Sequence, residues 1–126
     1  MAETQPIEES KKFTPKDPPQ LNPPIHNPMS VADLAKCDGM DPNNPTYVAI
    51  MGTIFDVSGN TAYSPKGSYH VFAGKDASRA LAQSSLKAED CSPEWEDLPD
   101  KEKGVLRDWY TFFSKRYNIV GRVVQD

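Results

Sequence analysis

The distribution of proline is the feature that most constrains the fold of this 126-residue chain. Seven of the twelve prolines lie within the first 28 residues, where charges are scattered and Phe13 is the single aromatic residue. Proline lacks a backbone hydrogen-bond donor, so it is excluded from the interior of helices and central strands. Such a segment cannot bury enough apolar surface to offset the entropy of ordering it. The sequence therefore predicts a disordered, proline-rich tail over residues 1–28 and one folded domain over residues 29–126.

The net charge and the cysteine count exclude several classes of protein. The chain carries 14 basic and 18 acidic residues, a formal charge of −4, whereas a nucleic-acid-binding domain usually presents a basic face. Two cysteines are fewer than a secreted domain of this size usually carries, which favours the reducing cytosol. The longest clean apolar run, residues 48–51, is far shorter than the ~20 residues that span a bilayer. We therefore expect a cytoplasmic protein with no nucleic-acid partner and no transmembrane segment in this chain.

The pattern of apolar and turn-forming residues predicts an α+β domain of short strands and short helices. Ser30 and Asp33 fit a capping box that begins a helix over residues 31–36. Residues 47–57 are β-branched and aromatic around a central glycine, which is typical of two strands that fold back on one another. Apolar residues recur with a helical period within residues 100–116. Further predicted elements are a helical turn at residues 68–73, a helix from a cap at Asp76 to about Ser84, and a closing strand at residues 119–124.

Signatures of catalysis are absent from the sequence. It contains no phosphate-binding glycine loop, no nucleophile elbow and no pair of histidines at helical spacing. Its two histidines, His26 and His70, and its two cysteines, Cys37 and Cys91, are too scattered to predict a zinc site. We therefore expect a protein that is not an enzyme.

Tyrosines and cations cluster in two places along the chain. Tyr63 and Tyr69 bracket a short lysine-containing loop, and Arg116 and Tyr117 end the predicted long helix. Taken alone, such tyrosines are more typical of half-buried packing residues with hydrated hydroxyls. The acidic stretch at residues 87–102 is typical of a solvated surface.

Four stretches of the sequence resemble one known family. The longest is residues 63–81 (YSPKGSYHVFAGKDASRAL), and residues 47–57, 108–117 and 120–123 agree with it. They are similar to the membrane-associated progesterone receptor family of cytochrome b5-like haem/steroid-binding domains, and most similar to its fungal damage-response haem proteins. The resemblance covers residues 30–124. It implies a cytochrome b5-like fold, with a small mixed sheet and short helices around a haem pocket.

The resemblance also implies how haem is held. Cytochrome b5 binds haem between two histidines, one in a His-Pro-Gly-Gly loop, but this sequence has no such loop and only His70 within the domain. Matched position by position, Tyr69 falls on the family's single axial tyrosinate ligand of a five-coordinate ferric haem b, and Tyr63 on the tyrosine that hydrogen-bonds it. Arg116 and Tyr117 fall on the family's lysine and tyrosine at the haem edge. His70, beside Tyr69, is an alternative ligand.

The function implied by the resemblance is regulatory. Such proteins bind and support cytochrome P-450 enzymes of sterol synthesis, and act as haem carriers or sensors. A haem-stacked homodimer and a peripheral association with the endoplasmic reticulum are compatible with the sequence. The acidic residues 89–102 offer a surface for a basic partner. The alternative is a steroid-binding or protein-interaction module without a functional haem.

Overall fold

The computed structural model describes residues 23–124, so residues 1–22 of the predicted tail lie outside the described part of the chain. Its strands are β1 (Pro28–Ser30), β2 (Tyr47–Ile50), β3 (Thr53–Asp56) and β4 (Asn118–Val124), and its α-helices are α1 (Val31–Ala35), α2 (Ser78–Ala82) and α3 (Asp100–Arg116). Short 3₁₀ turns occupy Thr61–Tyr63, His70–Phe72 and Ala88–Asp90. In residues 23–124, no helix is both long enough and apolar enough to cross a membrane.

The four strands form one mixed sheet in the order β1-β4-β3-β2. Strands β2 and β3 form an antiparallel hairpin, and its tip is Met51-Gly52, with φ of 53° and 82°. Two successive residues with positive φ are what a two-residue hairpin turn requires. Strand β4 pairs antiparallel with β3 and parallel with β1. This mixture of strands and helices confirms the predicted α+β class.

The predicted local elements appear with small shifts in their ends. The Ser30 hydroxyl accepts a hydrogen bond from the Asp33 amide at 3.0 Å, as the capping box predicts. The helix predicted to run from a cap at Asp76 to about Ser84 spans Ser78–Ala82, and Ala77 occupies the N-cap position. The Asp76 carboxylate still accepts from the Ser78 amide at 3.1 Å. The long helix and the hairpin lie where the sequence predicts them.

Strand β1 is an element that the sequence did not predict. It begins at Pro28, the last residue of the predicted tail, and pairs with residues 122–124 at the far end of the chain. The Ile25 amide extends the contact by donating to the Ile119 carbonyl at 2.9 Å. A three-residue strand has no periodicity of its own to detect, so only its distant partner defines it.

The sheet separates two apolar clusters. The larger contains Val48 and Phe55 from one face of the hairpin, together with buried residues of α2 and α3. The smaller packs Leu34 of α1 against Ala49 and Ile54 on the other face. Neighbouring strand residues point to opposite faces, so adjacent positions such as Val48 and Ala49 serve different clusters.

A buried polar network ties the hairpin tip to the start of α2. The Asp76 carboxylate accepts from the Gly52 amide at 3.1 Å and from the Ser78 hydroxyl at 2.5 Å. The same hydroxyl accepts from the Met51 amide at 2.7 Å. Burial raises the pKa of the Asp76 carboxyl, although these hydrogen bonds act in the opposite direction. The network fixes the hairpin tip relative to the start of α2.

Candidate functional site

Residues 60–69 form a loop that is closed by its own backbone. The Tyr69 amide donates to the Ala62 carbonyl at 2.8 Å, and the Gly67 amide donates to the Ser64 carbonyl at 2.8 Å. A Cβ atom at Gly67 would lie 2.1 Å from the Ala62 oxygen, so a side chain has no room there. The closure brings Tyr63 and Tyr69 side by side.

Three of the four predicted site residues lie together in one aromatic cluster. The ring centres of Tyr63 and Tyr69 are 5.7 Å apart, and those of Tyr63 and Tyr117 are 6.4 Å apart and perpendicular. The three side chains are only 0–6% exposed. Phe113 and Trp109 of α3 complete the cluster by edge contacts with Tyr63 and Tyr69, respectively.

Asn60 is part of this cluster, and the sequence interpretation missed its role. Its amide nitrogen donates to the Tyr117 hydroxyl at 2.8 Å, while its oxygen accepts from the Ala62 amide at 2.9 Å. Only 6% of Asn60 is exposed. Asparagine is a favoured residue at the start of a helical turn, so its position before Thr61–Tyr63 was a usable signal. Its contact with Tyr117 had no signal in the sequence.

Arg116, the fourth predicted site residue, is the last residue of α3. Its guanidinium carbon lies 5.3 Å from the centre of the Phe112 ring, which is a cation–π contact along the helix surface. This contact places the Arg116 guanidinium over Phe112 at the end of α3.

His70 follows Tyr69 in sequence but makes a different contact. Its Nε2 lies 3.0 Å from the carbonyl oxygen of Asp38. A carbonyl oxygen can only accept, so this nitrogen carries the proton and donates. The contact holds the ring against the segment after α1, which disfavours His70 as a competing ligand.

The acidic stretch and the cysteines lie outside the tyrosine cluster. Arg79 donates to both carboxylate oxygens of Asp97, at 2.9 and 3.3 Å, and this contact lowers the pKa of the exposed Asp97 carboxyl.

Burial raises the pKa of the Cys37 and Cys91 thiols, and neither forms a disulfide. Within residues 23–124, no three His, Cys, Asp or Glu side chains group as a metal site would need.

Two hollows lie near these elements. A polar hollow of about 340 Å³ follows the closed loop, with Asn60, Ser64 and Lys66 in its lining. A mostly apolar cleft of about 270 Å³ lies beside α1, with Leu34, Val123 and Cys91 in its lining. Leu34 and Val123 belong to the smaller apolar cluster, whereas Cys91 packs against the larger cluster, which contains the tyrosines.

The fold defines the class of the protein. A solved Arabidopsis thaliana protein, described as having a cytochrome b5 like fold, superposes with a TM-score of 0.72 at 42% identity, covering 82% of this chain and 95% of that chain. The fold is therefore cytochrome b5-like, as the sequence predicts.

Sequence comparison defines the family within that class. Residues 30–111 match the family model described as "Cytochrome b5-like Heme/Steroid binding domain". "Probable steroid-binding protein 3" of Arabidopsis thaliana is 50% identical over 92 residues, which are 72% of this chain and 92% of that protein. "Cytochrome P450 regulator dap1" of Schizosaccharomyces pombe is 39% identical over 105 residues, which are 74% of this chain and 60% of that protein. The chain belongs to the cytochrome b5-like haem/steroid-binding domain family, and the predicted resemblance is confirmed.

The chemistry of the tyrosine cluster fits a haem. Tyrosine is an established axial ligand of haem iron, as in catalase. The indole nitrogen of Trp109, whose ring centre is 6.4 Å from that of Tyr69, is buried without a hydrogen-bond partner among the described residues. Buried hydrogen-bond donors normally have partners. A phenolate nearby would interact favourably with this indole N–H, because its negative charge attracts the positive end of the N–H dipole. The phenolic oxygens of the cluster therefore suit the chemistry of a haem site.

Proposed function

We propose that the chain binds ferric haem b as a five-coordinate group whose single axial ligand is the phenolate of Tyr69. The observation that carries the proposal is the closed loop, which packs Tyr63 against Tyr69 with ring centres 5.7 Å apart. The loop fixes both residues by backbone hydrogen bonds, so the pair is organised before any ligand binds. The family description, which includes haem, supports haem binding.

Tyr69 needs assistance to act as an anionic ligand. A free phenol has a pKa near 10, so it is protonated at neutral pH. Bound ferric iron supplies the positive charge that makes the phenolate the stable form. Tyr63 donates a hydrogen bond that stabilises this charge. Losing a hydrogen bond to a charged group costs roughly 1.5–3 kcal/mol, so Tyr63→Phe should weaken haem binding about ten- to a hundred-fold without abolishing it.

In this proposal, Arg116 and Tyr117 lie at the edge of the haem. Tyr117 lies within the cluster and offers its hydroxyl, whereas Arg116 lies at the end of α3 and supplies a positive charge. Arginine stands where the family more often has lysine, and its planar guanidinium pairs with carboxylates through two parallel hydrogen bonds.

The proposed role is to support cytochrome P-450 enzymes of sterol synthesis as a haem carrier or sensor. The name of the fission-yeast relative, a cytochrome P450 regulator, supports this role. A tyrosinate favours ferric over ferrous iron, so the strength of binding depends on the redox state, which suits a carrier or sensor. Docking of residues 89–102 on a basic partner, a haem-stacked homodimer and peripheral association with the endoplasmic reticulum belong to the same proposal.

A pair of tyrosine variants tests the ligand assignment. Tyr69→Phe keeps the ring in the core but removes the oxygen, so haemin titration should show loss of binding while circular dichroism shows an intact fold. Tyr47→Phe is the matched control, because Tyr47 packs with the smaller cluster on the other face of the sheet; its haem binding should be unchanged. If Tyr69→Phe retains haem with the wild-type ferric spectrum, the ligand assignment is wrong.

Reduction tests the carrier role. Ferrous iron carries one positive charge less, so its bond to the phenolate should be weaker. After reduction with dithionite, we expect a changed spectrum and faster haem transfer to apomyoglobin than from the ferric protein. Equal transfer rates in the two states would contradict a redox-dependent carrier.

The alternative function, a steroid-binding module without haem, has its own structural support. The relative "Probable steroid-binding protein 3" is named for this activity, and the apolar cleft beside α1 is a hollow of about 270 Å³. Cys91 lines that cleft, whereas Cys37 is buried elsewhere. For this alternative, progesterone should slow alkylation of Cys91 and leave that of Cys37 unchanged, and purified protein should bind no added haemin.

A further inference from the structure

We infer that Asn60 is a positioning residue that orients the Tyr117 hydroxyl as a hydrogen-bond donor to the group bound at the tyrosine cluster. The inference rests on the proposed haem function for the identity of that group. The orientation of the Tyr117 hydroxyl is inferred only from the two hydrogen bonds of the Asn60 side chain.

The orientation of the Asn60 amide is fixed by its backbone contact. Its Oδ1 receives the Ala62 amide proton at 2.9 Å. A backbone N–H can only donate, so the atom that receives it must be the oxygen of Asn60 and not the nitrogen. The other end of the side chain is therefore the NH₂ group, which lies 2.8 Å from the Tyr117 hydroxyl oxygen.

The orientation of the Tyr117 hydroxyl follows from that of Asn60. An amide NH₂ donates and does not accept, so the Tyr117 oxygen is the acceptor in this contact. Its own proton must then be directed to a different acceptor. A hydroxyl that accepts one hydrogen bond becomes a stronger donor in the next, since hydrogen bonds in a chain polarise one another. Asn60 therefore sets Tyr117 as a donor, which is the role that an anionic ligand or a haem carboxylate needs.

Tyr117 is held at both of its ends. Its backbone amide donates to the Phe113 carbonyl at 2.8 Å and so closes α3. Its ring stands perpendicular to Tyr63 and packs edge-on against Phe113, with ring centres 6.4 and 4.8 Å away. Asn60 holds the hydroxyl itself. Because Asn60 begins the turn that contains Tyr63, one side chain couples the closed loop to the junction of α3 and β4.

Two substitutions at position 60 separate this role from that of capping the turn. Serine and aspartate both cap helical turns well, so Asn60→Ser and Asn60→Asp should keep the contact with Ala62. The serine side chain is too short to reach Tyr117 as well. Aspartate has an acceptor where asparagine has its NH₂, so it would draw the Tyr117 proton towards itself and away from the bound group.

Haem release from the full-length protein provides the first measurement. Asn60→Ser removes a hydrogen bond between two neutral groups, so we expect roughly 2- to 10-fold faster release. Tyr117→Phe removes the hydrogen bond to the charged group itself, so we expect roughly 10- to 100-fold faster release. The double variant should release haem no faster than Tyr117→Phe alone, because Asn60 acts through Tyr117. Asn60→Asp should release haem faster than Asn60→Ser. Asn44→Ser is the control, since it removes a similar amide contact, to the Lys36 carbonyl, and should leave release unchanged.

The haem-free protein provides a second measurement that does not depend on the proposed function. In ¹⁵N spectra, the Asn60 side-chain amide should shift in Tyr117→Phe, and it should not shift in Tyr47→Phe. The inference is overturned if that amide is unaffected by Tyr117→Phe, if the two single effects on release multiply in the double variant, or if Asn60→Asp releases haem at the wild-type rate. If Tyr69→Phe keeps haem while the amide still shifts, the haem proposal fails and the Asn60–Tyr117 contact stands.

Discussion

Gly67→Ala is the most direct test of the closed loop that organises the tyrosines. A Cβ atom at position 67 would lie 2.1 Å from the Ala62 oxygen and 2.4 Å from the Thr61 oxygen. Both are backbone atoms, so they cannot turn aside as a flexible side chain does. The loop must open, and the hydrogen bond from the Tyr69 amide to the Ala62 carbonyl is the contact placed to break.

The size of the effect follows from these two changes. Overpacking a tight site costs about 1–3 kcal/mol, and losing one hydrogen bond costs about 0.5–1.5 kcal/mol. Replacing glycine by alanine also restricts the unfolded chain, which offsets about 0.4–1 kcal/mol. We therefore expect Gly67→Ala to lower the free energy of unfolding by about 0.5–4 kcal/mol. Haem binding should weaken as well, because Tyr69 moves relative to Tyr63.

Gly59→Ala is the matched control for this experiment. Gly59 lies just before the same loop, but a Cβ atom there meets nothing within 4 Å, and neither glycine has a positive φ. Urea unfolding should show Gly59→Ala at or slightly above wild-type stability. If the two alanine variants unfold within about 0.5 kcal/mol of one another, which is the range of ordinary surface substitutions, the proposed steric closure is refuted.

Three further substitutions test other parts of the structure. Burial raises the pKa of the Asp76 carboxyl in the folded protein above its ordinary 3.8. Folding therefore favours the protonated form, and the stability that this form contributes is complete below pH 3.8. That stability is lost as the pH rises through the raised pKa. Urea unfolding should therefore show wild type losing stability relative to Asp76→Asn over that interval. Ser30→Ala should cost about 1 kcal/mol in the same assay by removing the cap of α1. Gly74→Ala should lower the melting temperature, because Gly74 has a φ of 76° and a Cβ there would lie 2.7 Å from that of Asp38; an unchanged melting temperature would contradict the packing.

The elements that the sequence predicts well are those defined by local patterns. The helical period within residues 100–116 and the β-branched residues around Gly52 each carry their own signal. The capping contact between Ser30 and Asp33 is equally local. In each case, the residues that determine the element are neighbours in sequence.

The parts that the sequence does not predict depend on distant residues. Strand β1 exists because β4 lies beside it, and Asn60 meets Tyr117 only after the closed loop packs against α3. The direction of Arg116 depends on the last turn of α3, which places it over Phe112. The tyrosines themselves were identified by resemblance, because their pattern alone is equally that of packing residues.

The pairing of β1 with β4 has a consequence for the order of folding. Pro28 pairs with Arg122, so nearly the whole domain must be traversed before this contact can form. Contacts that close long loops form late and slow folding. While β1 is detached, the outer edge of β4 presents unpaired amides and carbonyls that can pair with another molecule. By pairing with β4, Pro28–Ser30 cover this edge and remove a template for aggregation.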